Sequence, residues 1–245
     1  MGAIKIMELK KPALSGSTLK MIALVTMLID HIGAVIVQRT MSMSGFDHNF
    51  WSSLYWPLRY VGRVAFPIFC FLLVEGFLHT SNVKKYLSRM LLFALISEIP
   101  FNLAISGKVI DLNYQNVFFE LFFGIGAMYY LEVVEKKQKN YLLQVILRLG
   151  IIAVFAIAAE YFNFDYGMYG IISIVALYAF RQNKLWQLLI GALSFYWEPV
   201  APLAFLLMAF YNGKRGRSIK YAFYIFYPAH MLILYVIARV IGCQY

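Results

Sequence analysis

Charged residues are scarce in this sequence, and cysteines are scarcer still. Only 14% of the 245 residues are Asp, Glu, Lys or Arg, whereas 62% are hydrophobic. Soluble domains are usually nearer a quarter charged and half apolar, and the mean hydropathy of +0.69 argues against an ordinary soluble core. Two cysteines, Cys70 and Cys243, do not make a disulfide framework. The composition therefore predicts a polytopic membrane protein.

Several sequence motifs of phosphate-binding, catalytic and metal sites are also missing. The sequence has no Gly-rich phosphate loop, no HExxH, no GxSxG and no Cys/His spacing suited to zinc, so we predict no metal site. No nucleic-acid-binding motif accompanies the net charge of +10, which predicts no nucleic-acid partner. No internal repeat or long linker divides the chain, so residues 1–245 are predicted to form a single integral membrane domain. No small-residue cleavage site follows the basic start, so we predict no cleaved signal peptide.

Long apolar stretches dominate what is present. Stretches near 20 residues have the length of membrane-spanning helices, and we predict an all-α transmembrane bundle of about nine spans (eight to ten). Two segments on either side of Glu198 and Pro199 are short for full spans and could instead form one kinked or re-entrant unit. The aromatic stretch 38–60 is expected at the membrane interface, as a loop or short surface helix. The predicted spans are 15–37, 58–78, 86–106, 116–133, 142–160, 167–180, 185–197, 199–212 and 220–241.

The basic residues set the expected orientation. Lys and Arg gather in alternate loops, from Lys5, Lys10, Lys11 and Lys20 at the start to the run Lys214 to Lys220 near the end. An excess of Lys and Arg marks cytoplasmic loops. We therefore expect a multi-pass membrane protein with a cytoplasmic N-terminus.

The first span carries the most informative pair of residues, Asp30 and His31. Ionisable side chains are costly in lipid and mark functional sites. His31 follows Lys20 by eleven positions, which places both on one helix face about 16 Å apart. His230 lies ten residues after Lys220 in the last span, so the two histidines sit at matching depth and could face one polar cavity. The structural alternative is that each histidine bonds a neighbouring carbonyl.

Other charged residues extend this pattern. Asp30 could orient the imidazole of His31 or pair with a cation such as Arg63 or Arg239. The basic cluster of Lys84, Lys85 and Arg89 follows Glu75 directly and would suit an anionic ligand such as a phosphate-bearing cofactor, although cytoplasmic basic residues need no ligand. Glu98 and Glu120 lie in the outer half, where they could bind a cationic acceptor or close salt bridges. 

Several phrases of the sequence resemble a known family. They are LSGSTLKMIALVTMLIDHIGA, GRVAFPIFCFLLVEGF, ALISEIPFNLA, DYGMYGI and KYAFYIFYPAHMLILY, and they are similar to blocks of the TraX family, conjugal-transfer proteins associated with N-terminal acetylation of pilin. The spacing from Lys20 to His31 also resembles the acyltransferase-three superfamily of membrane acyltransferases, as do the segments that contain Glu75 and His230. Glu75 stands where that superfamily commonly has Ser.

The resemblance implies a multi-pass acetyltransferase of the bacterial cytoplasmic (inner) membrane. It would move an acetyl group from cytoplasmic acetyl-CoA to an amine or hydroxyl acceptor reached from the outer side, such as a pilin N-terminus, another peptide, a glycan or a small molecule. His31 would be the general base, or would form an acetyl-imidazole; Asp30 would orient it, and His230 with Tyr227 would stabilise the oxyanion. The donor-binding residues would be Lys20, Arg63, Glu75, Lys84, Lys85 and Arg89, with the run Lys214 to Lys220 as a further candidate for the phosphates. Glu98 and Glu120 would bind the acceptor.

Two other classes of function fit the same composition. Intramembrane Asp, Glu and His also make ion pathways, as in a transporter or proton-coupled permease. The lack of a repeat and the spacing of Lys20 and His31 count against that class. A non-catalytic scaffold of a secretion system is the third possibility, and turnover of acetyl-CoA would exclude it.

Overall fold

The computed structural model describes residues 13–217 and 220–244 of the chain. These residues form helices and connecting loops, with two isolated β-bridges and no strand among them. The predicted all-α fold is confirmed for this part of the chain. Lys5, Lys10 and Lys11, on which the predicted orientation partly rests, lie outside it.

Eleven α-helices follow one another along the described residues. The first continues as a π-helical segment, Ile32–Val37, and a 3₁₀ turn, Ala201–Leu203, precedes the tenth. The α-helices are α1 (Gly16–His31), α2 (Gln38–Thr40), α3 (His48–Gly62), α4 (Ala65–Leu78), α5 (Val83–Ser106), α6 (Val117–Lys137), α7 (Tyr141–Tyr161), α8 (Gly167–Ala179), α9 (Lys184–Ser194), α10 (Ala204–Ala209) and α11 (Lys220–Val240).

Polar N-caps explain where many of these helices begin. Asparagines precede α5, α6, α7 and α9, and in each case the side-chain oxygen accepts a hydrogen bond from a backbone amide of the first turn. Such caps satisfy amides that have no partner within the helix. Ser15 and Asp47 cap α1 and α3 in the same way.

Six helical segments among the described residues are long and apolar enough to cross a membrane, fewer than the nine spans expected. They are Gly16–Thr40, His48–Leu78, Val83–Ser106, Val117–Lys137, Tyr141–Tyr161 and Phe223–Val240, and the 13-residue α8 is a shorter apolar helix. One difference lies at the aromatic stretch 38–60. Most of it forms α3, which packs along α1 and joins α4 after a bend, so the second span begins at His48 and not near residue 58.

The second difference is a hairpin, residues 184–211, in place of two full spans. Its helices α9 and α10 have 11 and 6 residues, about 16 and 9 Å at 1.5 Å per residue, and the bilayer core is about 30 Å thick. The ammonium of Lys184 at its start donates to the carbonyls of Ala209 and Tyr211 at its end, at 3.0 and 2.7 Å. Both ends therefore meet at one side, which matches the re-entrant alternative.

The core of the bundle surrounds α4. Ten of its fourteen residues are buried, whereas α7 buries only Ala156 and Ala159. Because lipid is as apolar as the core, an exposed apolar helix such as α7 suits the bilayer-facing surface. The central position of α4 brings its bend to the middle of the bundle, beside α1.

The helix ends lie at two levels. The basic end, at which α1 begins, holds Lys20 and an ion pair of Arg181 with Glu135 at 3.0 Å. At the opposite end, the guanidinium of Arg39 donates to the carbonyl of Ile105 at 2.6 Å. The positive-inside pattern predicts that the basic end faces the cytoplasm.

Candidate active site

Two cavities enter the bundle from its two ends. The histidine cavity, about 930 Å³, is lined by side chains that include Asp30, His31, Arg59, Arg63, Asp165 and Tyr227. The basic cavity, about 400 Å³, is lined by side chains that include Lys20, Glu75, Arg89, Tyr211, Arg215 and Arg217. Their volumes fall within or near the range of small-molecule sites.

The two histidines meet at the histidine cavity. Nδ1 of His31 lies 2.7 Å from Nε2 of His230, and Nδ1 of His230 lies 2.7 Å from the carbonyl oxygen of Phe226. The imidazole centroids are 4.9 Å apart and the ring planes differ by 22°, so the hydrogen bond runs close to the plane of both rings. His230 is 95% buried. The two histidines, which the sequence places at matching depth, are therefore in direct contact.

Asp30 is paired with an arginine that the sequence did not single out. The Oδ2 atom of Asp30 accepts a hydrogen bond from Arg59 at 2.7 Å, and both side chains are largely buried. Two glycines allow the close approach of α1 and α3. A Cβ added at Gly62 would overlap the Asp30 side chain, and one at Gly33 would lie 3.4 Å from the Arg59 side chain. The carboxylate is thus fixed by Arg59 instead of by the imidazole of His31.

Further charged groups surround this pair. Arg63, at the bend between α3 and α4, lies 3.3 Å from Oε1 of Glu198 at the tip of the hairpin. The hydroxyl of Tyr114 donates to Asp165. Burial raises the pKa of Asp165, although the bond from Tyr114 and the nearby guanidiniums of Arg63 and Arg59 oppose that rise. The cavity therefore presents both charge signs.

At this cavity, one buried acceptor and one buried donor lack a hydrogen-bond partner among the described residues. Oδ1 of Asp30 accepts no hydrogen bond from any described residue, and the hydroxyl of Tyr227 donates none. Buried polar groups are nearly always hydrogen bonded. The ring of Tyr227 lies edge-on to that of His31, with centroids 5.9 Å apart. A ligand bound beside His31 would be able to supply both partners.

The basic cavity collects cations from three parts of the chain. Lys20 comes from α1 and Arg89 from α5, while Arg215 and Arg217 come from the loop after the hairpin. That loop is held against the start of α1, where the amide of Gly16 donates to the carbonyl of Lys214 at 2.8 Å. Nε of Arg89 is buried without a hydrogen-bond partner among the described residues. An anion in this cavity would satisfy it.

Glu75 is the acidic member of the basic cavity. Its Oε2 atom accepts a hydrogen bond from the hydroxyl of Tyr211 at 3.1 Å. Burial, followed by the charge of Glu75, raises the pKa of Tyr211 to about 12, so the phenol stays protonated and keeps donating. The bond joins α4 to the end of the hairpin.

A single layer of side chains separates the two cavities. On α4, Phe69 lines the histidine cavity and Leu72 lines the basic cavity. On α11, Tyr227 lines the histidine cavity and Tyr224 lines the basic cavity. Each pair is three residues apart, about 4.5 Å along a helix. The ring of Phe223 fills the layer, 5.2 Å from that of Phe69 by centroids. We call this layer, made of Phe69, Leu72, Phe223, Tyr224 and Tyr227, the aromatic septum.

Comparison with known proteins assigns the chain to a family. A family model described as TraX protein matches residues 15–238. The chain belongs to the TraX family. It is also 31% identical over 250 residues to the probable fimbrial assembly protein FimC, serogroup H1, of Dichelobacter nodosus, an alignment that covers 90% of this chain and 94% of that protein. No solved structure matches it.

The TraX match runs from α1 to α11 and includes both histidines, but the structure does not gather all predicted site residues at one place. Arg63 lies at the histidine cavity, because the bend of the second span sits mid-bundle, and not with the donor-binding cations. Lys84 and Lys85 are exposed at the start of α5 and do not line the basic cavity. The side chain of Lys220 lies outside the described part of the chain.

The two predicted acceptor-binding carboxylates also lie away from the cavity. Glu98 is hydrogen bonded to Asn116, and Glu120 is fully buried against Gly170 in the first turn of α8. Both side chains pack between neighbouring helices, and neither lines the histidine cavity of this TraX chain. The carboxylates that do line it are Asp30 and Asp165.

The sequence reasoning missed several lining residues. Arg59 falls in the predicted interfacial segment, yet Arg59 in α3 and Arg63 directly after it are four residues apart, a helical spacing that could have indicated one polar face. Arg215 and Arg217 are not among the missed residues, since both belong to the run Lys214 to Lys220 that is expected as a further phosphate-binding group, and both line the basic cavity. Tyr114 offers no sequence signal, because its contact with Asp165 joins loops 51 residues apart.

Proposed function

We propose that this TraX-family chain is a membrane acetyltransferase that takes the acetyl group from cytoplasmic acetyl-CoA and transfers it to an acceptor in the histidine cavity. One observation carries the proposal: His31, hydrogen bonded to His230, lies at an open cavity only one side-chain layer from a second cavity lined by cations. Each cavity would hold one of the two substrates.

The basic cavity suits the phosphates of the donor. Lys20, Arg89, Arg215 and Arg217 place four cationic side chains around it, and guanidiniums bind phosphate oxygens through charge-assisted hydrogen bonds. The buried Nε of Arg89, which lacks a partner among the described residues, supports an anionic occupant. The thioester end of the donor would then cross the aromatic septum toward His31.

The chemistry assigned to His31 is proton transfer. Its Nε2 takes a proton from the acceptor N–H or O–H as the acceptor attacks the thioester carbonyl carbon. The new C–N or C–O bond forms, the C–S bond breaks, and the thiolate takes the proton back from His31, so CoA leaves as the thiol. The hydroxyl of Tyr227, which donates to no described residue, would donate to the oxyanion.

We assign Asp30 the role of binding the acceptor. Arg59 holds its Oδ2 atom, which leaves Oδ1 free to accept a hydrogen bond from an amine or hydroxyl beside His31. Such a contact would aim the nucleophile at the thioester, and correct orientation is a large part of catalysis.

The acceptor class follows from the relative and from the cavity. The similar protein of Dichelobacter nodosus is described as a probable fimbrial assembly protein. We therefore assign as acceptor the N-terminal amine of an exported filament subunit. A cavity of about 930 Å³, near the upper end for ligand sites, supports an acceptor larger than a metabolite.

The test measures release of free CoA from acetyl-CoA by the purified protein in nanodiscs, with peptides that have a free or a blocked N-terminus. His31→Ala is expected to lower acceptor-dependent release about 100-fold, because general-base catalysis contributes at least that much. His48→Ala is the matched control, since His48 is exposed at the start of α3 and lines neither cavity.

The binding arm of the same experiment uses two residues of α5. Arg89→Gln is expected to weaken acetyl-CoA binding about tenfold, the loss of one charge-assisted hydrogen bond, whereas Lys85→Gln, exposed outside the cavity, leaves it unchanged. A wild-type protein that does not bind acetyl-CoA, or a His31→Ala variant of full activity, would contradict the proposal. Solute uptake into liposomes without acetyl-CoA would then point to a permease.

A further inference from the structure

The contact between the two histidines also indicates which of their ring nitrogens carry protons. The carbonyl oxygen of Phe226 can only accept a hydrogen bond, so Nδ1 of His230, 2.7 Å away, is the donor. In a neutral imidazole the other nitrogen has no proton and can only accept. Nε2 of His230 is therefore an acceptor, and Nδ1 of His31, 2.7 Å from it, is the donor.

The same reasoning fixes the remaining nitrogen of His31. If Nδ1 carries the proton, Nε2 of the neutral ring carries a lone pair. Since Nδ1 is occupied by His230, Nε2 is the nitrogen that His31 presents to the histidine cavity. The chain of two hydrogen bonds starts at a backbone carbonyl of α11, which cannot change its role.

We propose that His230 is a positioning residue that holds His31 in the tautomer with the proton on Nδ1, so that the nitrogen at the histidine cavity is a free base. This inference rests on the proposed function, because it assigns the base nitrogen of that reaction. It gives His230 the task that the sequence suggested for Asp30, and it leaves the oxyanion to Tyr227 alone. Carboxylates and carbonyls commonly fix the tautomer of a histidine; here a second imidazole transmits the choice of the Phe226 carbonyl.

The arrangement also serves the protonated state. When Nε2 of His31 takes the proton of the acceptor, both nitrogens of His31 carry protons, and Nδ1 still donates to Nε2 of His230. A hydrogen bond from a charged donor is stronger than a neutral one. The contact thus stabilises the imidazolium without any movement of either ring.

The geometry around the pair agrees with this role. The two imidazole rings are almost coplanar, and on its own helix His230 stacks on Phe226, with centroids 4.8 Å apart and a 22° angle. Tyr227 packs edge-on against both imidazoles, at 5.9 and 5.6 Å. These contacts restrict rotation of His230 and keep its Nε2 directed at His31.

The experiment reads the tautomer directly. The chain has four histidines, so ¹⁵N-histidine labelling of the full-length protein in nanodiscs gives few signals. The signals lost in His31→Gln belong to His31, and those lost in His48→Gln belong to His48. ¹⁵N shifts separate protonated from lone-pair nitrogens. In the wild type, neutral His31 is expected with a protonated Nδ1 and a lone pair on Nε2. A neutral His31 with the proton on Nε2 would overturn the proposal.

Two variants of His230 separate positioning from packing. In His230→Gln the side-chain carbonyl can still accept from Nδ1 of His31, so the tautomer is retained and kcat stays within about tenfold of wild type. In His230→Leu no acceptor remains; the spectrum shifts toward the Nε2-protonated form and kcat falls about 100-fold, with the KM for acetyl-CoA unchanged. An unaltered tautomer in His230→Leu would contradict the inference. Full activity of His31→Ala would instead contradict the proposed function, whatever the tautomer.

Discussion

Gly62 determines where the side chain of Asp30 can lie. Asp30 packs on the backbone of Gly62, and no other residue leaves room there because a Cβ would overlap the Asp30 side chain. The same approach brings Arg59 within 2.7 Å of the carboxylate. A carboxylate inside a bundle needs such a partner, since an unpaired buried charge costs several kcal/mol.

We therefore predict that Gly62→Ala disturbs the site through Asp30. The added methyl group must displace Asp30, break its pair with Arg59, or push α3 from α1, and overpacking of this kind costs about 1–3 kcal/mol. Thermal unfolding in detergent, followed by circular dichroism, should show a lower Tm together with slower acetyl transfer.

The matched control for that substitution is Gly150→Ala. Gly150 lies within α7, and a Cβ there meets no atom within 4 Å. Helix propensity favours Ala over Gly by about 0.5–1 kcal/mol, so this variant should be as stable as the wild type or slightly more. A Gly62→Ala protein that behaves like Gly150→Ala would refute the role given to Gly62.

At the scale of elements, the sequence could predict what depends on length and count. The depth of His31 and His230 followed from counting residues, because a helix rises by a fixed distance per residue. It could not predict that α3 runs along α1 and places Arg59 at Asp30, because hydropathy records composition and not contacts. It also could not tell that Glu98 and Glu120 face neighbouring helices, since rotation of a helix is set by packing.

The hairpin 184–211 gives a testable difference between two topologies. Trp197 at its tip packs on Tyr166 and Tyr169 at the start of α8. The hairpin therefore reaches about as far as the 13-residue α8 extends, roughly 20 Å, which is short of a core about 30 Å thick. Two complete spans would instead carry the tip into water.

A spin label on Tyr196→Cys measures this depth. Tyr196 is exposed at the tip, so in the bilayer its nitroxide should be more accessible to oxygen than to a water-soluble nickel complex. Leu112→Cys, exposed in the loop between α5 and α6, should show the reverse, and the native Cys70 and Cys243 are buried and stay unlabelled. Equal nickel access at both positions would favour two full spans.

Over the whole molecule, the aromatic septum keeps two differently charged cavities apart. The ammonium of Lys20, at the basic cavity, lies 5.2 Å from the centroid of the Phe223 ring, a cation–π contact of about 0.5–2 kcal/mol. A phosphate in the basic cavity would compete for that ammonium and loosen Phe223. Under the proposed function, donor binding would thereby be coupled to opening of the septum, which would keep water from the thioester until the donor is in place.

Phe223→Ala tests this coupling. Removal of the ring should open the septum, so that CoA is released from acetyl-CoA without an acceptor several-fold faster than in the wild type, while acetyl-CoA still binds through the cations of the basic cavity. Phe155→Ala removes an equal ring from α7, where Phe155 contacts Phe123 and lines neither cavity, and should leave acceptor-free release unchanged. If Phe223→Ala keeps the two reactions as tightly coupled as the wild type does, the septum is not the barrier, and the thioester must reach His31 by a path that avoids Phe223.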